Sequence, residues 1–158
     1  MTLSVTQQEP NLYLRVGEPE TLVLPAYQID EEEILIVTHR ESPVQNLSLE
    51  EARVLFSGQA DPSVQVWAYA SGEDVQVLFE QLVMNGRSVT SLARLAVSPQ
   101  HMSDMLNAES NSVGVLPRHW KTGNTREVFS AGMAPVLAIT KENPDGAVRE
   151  LVACLQNN

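Results

Sequence analysis

The run Ile34–Thr38 constrains the fold of this chain most strongly, because it places five aliphatic or β-branched residues in succession. Alternate residues of a strand face opposite sides of a sheet, so a strand that is apolar throughout needs cover on both faces. The run therefore predicts an inner strand of a sheet with helices packed on both faces. An acidic turn, Asp30–Glu33, is expected directly before this strand.

Further strand and helix patterns alternate along the chain. Strands are predicted at Leu12–Val16, Ser63–Trp67, Ser112–Pro117 and Ala134–Thr140. Helices are predicted from Ser48 to Gly58 with a Ser48/Glu51 capping box, from Glu73 to Met84, from Ser98 through Leu106, and after Gly146. Two segments, Thr21–Pro25 and Val89–Leu95, fit short strands or irregular linkers equally well. This alternation predicts an α/β fold with a mixed β-sheet and helices on both faces.

The charge of the chain excludes some classes of partner. Asp and Glu number 20 against 10 Lys and Arg, which gives a formal net charge of -10. Binding to nucleic acid needs a basic face, as does binding to anionic membranes, and we expect neither. Cys154 is the single cysteine, and the three histidines share no metal-ligand spacing with it. We therefore expect no disulfide within the chain, no metal site and no cofactor.

The junction at Ser71-Gly72 is the candidate binding feature. A short apolar run breaks there and continues as an amphipathic helix, and such a helix N-terminus favours anions. In this chain, however, Glu73 and Asp74 occupy the start of the helix. At about 4 Å and a surface-like dielectric, one such carboxylate disfavours a unit negative charge by on the order of 4 kcal/mol.

Three segments resemble phosphate-type periplasmic solute-binding proteins, which belong to the type II periplasmic binding protein superfamily. Pro43–Gly58 resembles their "NPV-x-sLsleqlr-x-iFsG" segment. Ser71-Gly72 with Phe79 resembles their "SGT…F" ligand loop and the helix after it. Ser112–Leu116 resembles their "aIGYv" strand. The three segments keep the family's order and run from about Ile34 to the C-terminus.

The resemblance implies a binding protein whose ligand contacts come from Ser71, Gly72 and their neighbours. Two residues depart from the family pattern. Trp67 stands where the family has an arginine, and Glu73 stands where it has the threonine of "SGT". A bidentate guanidinium and a hydroxyl donor are both missing, so we do not expect phosphate binding in the family's usual manner.

The resemblance also bears on domain organisation, because the family's fold has two lobes that close on the ligand. The matched segments correspond mainly to the second lobe. We therefore expect one lobe over residues 1–158, with residues 1–24 as a partial or linker-like segment and 25–158 as the core.

Each candidate ligand residue also has a structural interpretation. In the functional interpretation, Ser71, Glu73 and Asp74 form one half of a cleft for a cation, an amine or a neutral polar solute. In the structural interpretation, Ser71 is only an N-cap, and Asp74 completes its capping box. Trp67 and Tyr69 either offer a stacking wall or pack in the core. Thr38 and His39 either line the cleft or belong to a surface loop, and Arg118 either meets an anionic solute or forms a surface salt bridge.

Taken together, the sequence predicts a solute-binding or sensing component, similar to the substrate-binding protein of a phosphate ABC transporter, with a degenerate oxyanion site. The alternative is a single-lobe structural or interaction module that binds no small ligand. No catalytic motif is present, so we expect no enzyme activity. Expected partners are a small solute, a membrane permease or a second copy of the chain. If a leader peptide has been removed, the location is periplasmic or at the cell surface, and otherwise it is cytoplasmic.

Overall fold

The computed structural model describes residues 10–157, so the part of the predicted N-terminal segment over residues 1–9 lies outside it. The elements follow one another in the chain as a mixture of strands and helices. The strands are β1 (Leu12–Val16), β2 (Ala26–His39), β3 (Gln65–Tyr69), β4 (Arg94–Ala96), β5 (Ser112–Pro117) and β6 (Thr125–Thr140). The helices are α1 (Leu49–Phe56), α2 (Asp74–Leu82), α3 (Pro99–Ala108) and α4 (Gly146–Gln156), and a short 3-10 helix covers Arg118–Trp120.

The strands form a mixed sheet, as the sequence predicts. Hydrogen-bonded neighbours follow the order β1-β6-β2-β5-β3-β4. The pairs β1/β6 and β2/β5 are antiparallel, whereas β3 pairs in parallel with both β4 and β5. Ile34 to Val37 have no exposed surface, so both faces of β2 are covered there. The predicted fold class is therefore confirmed.

The predicted acidic turn before this run is wrong. Asp30–Glu33 continues β2 without a break. Within this segment, Glu33 accepts hydrogen bonds from Arg118 Nε at 2.5 Å and from Ser130 Oγ at 2.6 Å. These two partners follow β5 and lie on β6, the strands that flank β2. Neighbouring strands thus supply partners to a carboxylate that sequence reasoning assigned to a solvated turn.

The chain forms two compact units, and strands β2 and β6 each contribute residues to both. One unit consists of residues 31–134, and the other of the described residues before Glu31 and after Ala134. In the first unit, the rings of Phe56 and Phe79 pack α1 against α2 with their centroids 4.7 Å apart. In the second, β1 pairs with the end of β6, and Val152 of α4 is buried. The predicted division between residues 1–24 and 25–158 stays a prediction.

The helix starts follow the sequence signals at α1 and α3. Ser48 Oγ accepts from the Glu51 N–H at 3.3 Å, and Glu51 Oε2 accepts from the Ser48 N–H at 2.7 Å, which confirms the capping box. Ser98 Oγ accepts from the His101 N–H at 3.1 Å and caps α3. No helix within residues 10–157 is long and apolar enough to cross a membrane.

Candidate functional site

The junction between β3 and α2 differs from the predicted cap. Helix α2 begins at Asp74 with Glu73 as its N-cap, and the Glu73 side chain makes no capping hydrogen bond. The expected capping box of Ser71 and Asp74 is therefore wrong. Ser71 and Gly72 form a turn, closed by the Glu73 N–H bonded to the Ala70 carbonyl at 3.1 Å. Gly72 has φ +93 there, a conformation that L side chains rarely adopt.

A cavity of about 270 Å³ lies where the end of β3 meets the loop between β4 and α3. The N-termini of two helices, α2 and α3, contribute to its wall. Its polar or charged lining residues are Tyr69, Glu73, Asp74 and Ser98. The rest of the lining is mostly apolar and consists of Ala70, Val75, Leu95, Ala96, Val97 and Pro99. We call this space the α2–α3 cavity.

Tyr69 lines the α2–α3 cavity and is 5% exposed. Its hydroxyl donates to the Val115 carbonyl at 2.8 Å, and its backbone N–H donates to Gln76 Oε1 at 3.0 Å. Burial raises the pKa of the Tyr69 phenol well above its ordinary range, and the nearby Asp74 carboxylate raises it further. The Tyr69 hydroxyl is thus bonded within the protein.

Trp67 lies in a separate group of side chains and is 5% exposed. Its Nε1–H donates to Glu109 Oε2 at 3.2 Å, and Arg94 Nη1 lies 3.0 Å from Glu109 Oε1. The Arg94 guanidinium lies 5.7 Å from the centre of the indole, and His101 meets the indole edge-on at 5.8 Å. The structure therefore brings Tyr69 to the α2–α3 cavity, whereas Trp67 joins β3 to β4 and α3.

Ser71 lines a second cavity, of about 290 Å³, together with the segment Ser88–Ser91. Tyr69 and Leu95 line both cavities. In the second cavity, Glu80 accepts from Gln76 Nε2 at 2.9 Å and from the Val89 N–H at 3.3 Å. Ser71 and Glu73, which the sequence places in one candidate site, thus line different cavities.

Thr38 and His39 lie at the end of β2 and line neither cavity. Thr38 is fully buried, and its hydroxyl donates to the Val44 carbonyl at 3.3 Å. His39 Nδ1 accepts from the Glu41 N–H at 3.1 Å. Both side chains hold the turn that follows β2.

Arg118 forms ion pairs rather than an open anion site. Its Nε lies 2.5 Å from Glu33 Oε2 and its Nη2 lies 3.0 Å from Glu127 Oε2. The adjacent His119 pairs with Glu32. The interpretation of Arg118 as a salt-bridge residue is confirmed.

The sequence did not predict that Leu95, Val97 and Ser98 line the α2–α3 cavity. Leu95 and Val97 fall in or beside the segment Val89–Leu95, whose pattern did not separate strand from linker. The Ser98 N-cap was predicted, but no signal in the sequence placed it opposite Glu73. Among the described residues, no three side chains of His, Cys, Asp or Glu are grouped so that they could hold a metal ion.

The fold matches solved binding-protein structures. An ABC-type phosphate transport receptor from Vibrio cholerae is 16% identical, with a TM-score of 0.69 over 92% of this chain and 73% of that one. A putative phosphate ABC transporter substrate-binding protein from Clostridium perfringens, solved with bound phosphate, is 14% identical, with a TM-score of 0.81 over 92% and 72%. The CcmR regulatory domain from Synechocystis PCC6803, in complex with 2-PG, is 15% identical, with a TM-score of 0.66 over 94% and 73%.

These likenesses define the class of fold, which is that of the type II periplasmic binding proteins. The resemblance predicted from the sequence is therefore confirmed at the level of the fold. Transport receptors and a regulatory domain share this fold, so the fold by itself does not separate transport from regulation. No family model and no curated protein matches the sequence.

Proposed function

We propose that this chain is a non-enzymatic solute-binding or sensing domain whose ligand occupies the α2–α3 cavity. The observation that carries the proposal is the composition of that cavity, in which two carboxylates and one hydroxyl adjoin an apolar wall. Small-molecule sites in proteins are concave, mostly apolar and equipped with a few polar groups that fix orientation. The α2–α3 cavity has this character.

The charge of the cavity favours a cationic ligand over an anionic one. Glu73 and Asp74 are adjacent at the start of α2 and both line the cavity. The comparison structures include one with bound phosphate and one with 2-PG. In this chain the position of the family's arginine is occupied by Trp67, whose indole is buried against Glu109 and His101. We therefore propose an amine with an apolar body, or a neutral polar solute, as the ligand.

Thermal-shift and calorimetric titrations with butylamine, glucose, inorganic phosphate and sulfate test this proposal. We expect butylamine, or failing that glucose, to raise Tm, because a ligand at about a hundred times its Kd stabilises the folded state by about 2.7 kcal/mol. If butylamine binds, the double variant Glu73→Gln/Asp74→Asn should abolish its shift. Glu18→Gln/Glu20→Gln is the matched control, because it removes two exposed carboxylates that do not line the cavity. Failure of all four probes, or a shift with phosphate alone, would contradict the proposal.

The rival function is an interaction module that binds no small ligand. It is favoured by the exposed apolar side chains Leu92, Leu95 and Val97, which are 82%, 58% and 88% exposed. A chain that binds none of the probes but associates through these residues would support the rival.

A receptor that serves a permease implies an extracytoplasmic location, and a sensing domain is compatible with the cytoplasm. Fractionation of cells that express the native gene distinguishes the two forms of the proposal. Recovery with the periplasmic or surface fraction supports the transport form, and recovery with the cytoplasm supports the sensing form.

A further inference from the structure

The second cavity, of about 290 Å³, brings together hydroxyl groups from two separate segments of the chain. Ser71 follows β3, whereas Ser88 and Ser91 lie between α2 and β4. Within residues 10–157, the hydroxyls of these three serines make no hydrogen bond to the protein. Since a hydroxyl both donates and accepts, the cavity offers three groups that are able to bond a ligand in either sense. We call this space the Ser71 cavity.

Glu80 is the one charged side chain among the described residues that line the Ser71 cavity. Its Oε1 accepts from Gln76 Nε2 at 2.9 Å and from the Val89 N–H at 3.3 Å. Gln76 is 3% exposed, and its own Oε1 accepts from the Tyr69 N–H at 3.0 Å. Within the described chain, Glu80 Oε2 has no hydrogen-bond partner. A buried amide thus holds the Glu80 carboxylate in place and leaves its second oxygen without a partner in the protein.

The lining of the Ser71 cavity suits a neutral polyhydroxylated ligand better than an ion. It contains no Lys, Arg or His, and the Glu80 carboxylate disfavours an anion. An alkylammonium ion supplies donors only, so the serine hydroxyls would find no acceptor on its charged group. A polyol supplies groups that donate and accept along its whole length. Its C–H groups would meet the apolar part of the lining, which includes Ala68, Ala93 and Leu95.

We infer that the Ser71 cavity is a second binding site, which takes a neutral polyol or monosaccharide. Glu80 Oε2 accepts from the ligand's hydroxyls, and the three serine hydroxyls complete the polar contacts. Gln76 is a positioning residue, because it touches the ligand only through Glu80. The inference does not rest on the amine proposed for the α2–α3 cavity, which has two carboxylates and a different set of polar groups.

An NMR titration of the whole chain with xylitol tests the inference. Tyr69 and Leu95 line both cavities, but Ser88 and Ser91 line only the Ser71 cavity and Ser98 lines only the α2–α3 cavity. Backbone amide shifts of these serines therefore report on the two cavities separately. We expect saturable shifts at Ser88 and Ser91 with a Kd of about 1–10 mM. The diol 1,5-pentanediol, which has the same number of carbons and fewer hydroxyls, should give no saturable shift.

A serine double variant tests the polar contacts without disturbing the Gln76 hydrogen bonds. Ser71→Ala/Ser91→Ala removes two exposed hydroxyls from the cavity and should weaken xylitol binding by about tenfold, because two hydrogen bonds are lost. Ser63→Ala/Ser110→Ala is the matched control, since both serines are exposed and line neither cavity. It should leave the Kd unchanged. Equal weakening by both double variants would contradict the assigned contacts.

The two cavities are distinguished by their carboxylates. Glu80→Gln should weaken xylitol binding, because it replaces the free acceptor oxygen or its charge, whereas Glu73→Gln/Asp74→Asn should not. Three results would overturn the inference: no saturable shift with xylitol, equal shifts with xylitol and 1,5-pentanediol, or shifts at Ser98 that only Glu73→Gln/Asp74→Asn abolishes. The last result would instead support the α2–α3 cavity as a site for a neutral polar solute. Binding of butylamine at Ser98 without xylitol binding at Ser88 and Ser91 would leave the proposed function standing and refute the second site.

Discussion

By the sequence resemblance Trp67 stands where the family has an arginine, and the structure shows what surrounds the indole in this chain. The indole is buried, donates to Glu109 and contacts His101 on α3. An arginine that reached for an anionic ligand would leave this position unfilled. In this chain the same residue position therefore serves packing between β3, β4 and α3.

Replacing Trp67 separates its packing from its hydrogen bond. Trp67→Phe keeps a ring but removes the donor to Glu109, and we expect a loss of roughly 1–2 kcal/mol in unfolding free energy, because a partly buried hydrogen bond to a carboxylate is lost. Trp67→Ala should cost about 3–5 kcal/mol. Urea unfolding measures both, with Trp120→Phe at a less buried tryptophan as the control. Equal losses for Trp67→Phe and Trp67→Ala would show that packing contributes nothing beyond the hydrogen bond.

Because of Tyr69, we expect the stability of the folded chain to fall at alkaline pH. Its pKa is raised in the folded state, first by burial and then by Asp74. An unfolded tyrosine ionises near pH 10, so above about pH 10 the unfolded state loses its proton first and stability falls. We expect Tyr69→Phe to weaken this decline between pH 9 and pH 11, and urea midpoints at these pH values measure it.

The control for this pH dependence is Tyr13→Phe, because Tyr13 is 42% exposed. It should leave the alkaline decline unchanged. An identical decline in the wild type and in Tyr69→Phe would contradict the role of Tyr69.

Strand β2 shows why some element boundaries were predicted wrongly. The residues Asp30–Glu33 are poor strand formers by composition, and a turn is the ordinary expectation for such a run. Glu33 nevertheless lies in a strand, where its carboxylate accepts hydrogen bonds from Arg118 and Ser130. Partners that are 85 and 97 residues away in sequence leave no local signal. The local capping signals at α1 and α3 were predicted correctly because each depends on residues three positions apart.

The Glu33 contacts predict an acid-dependent stability. The Arg118 hydrogen bond, and then that of Ser130, holds the pKa of Glu33 below its ordinary value. Because the folded pKa is lowered, this stabilisation is present above the unfolded pKa of about 4.3 and is lost as pH falls through the folded value. Arg118→Gln should therefore raise the pKa of Glu33 towards its ordinary range, which NMR titration of the carboxyl carbon measures. Lys121→Gln is the control and should leave that pKa unchanged.

The alternation of strand and helix patterns along the chain was enough to predict a mixed α/β fold, but not its two units. The second unit depends on the pairing of Leu12–Val16 with residues 136–140, and the two strands are each predictable while their pairing is not. For a similar reason, only some of the residues that line the α2–α3 cavity could be predicted. Glu73 and Asp74 follow a recognisable junction, whereas Leu95 and Val97 follow no pattern and reach the cavity only through the fold.

The net charge of -10 predicts a salt dependence. Raising NaCl from about 10 mM to about 150 mM shortens the screening length from about 30 Å to about 8 Å and weakens repulsion among the carboxylates. We expect Tm to rise over this range. Scanning at low micromolar protein keeps association from contributing to the change. A constant or falling Tm would show that favourable pairs, such as those of Arg118, outweigh the repulsion.

The chain order of the two units has a consequence for folding during synthesis. Residues 31–134 are contiguous, so the ribosome delivers everything that this unit contains before it reaches Pro135. Strand β1 precedes the central unit in the chain but pairs with Val136–Thr140, which follow that unit. Long sequence separation slows the formation of such contacts. A nascent chain that has emerged only as far as Ala134 should therefore hold a folded central unit and an unpaired N-terminal strand that is exposed to chaperones and proteases.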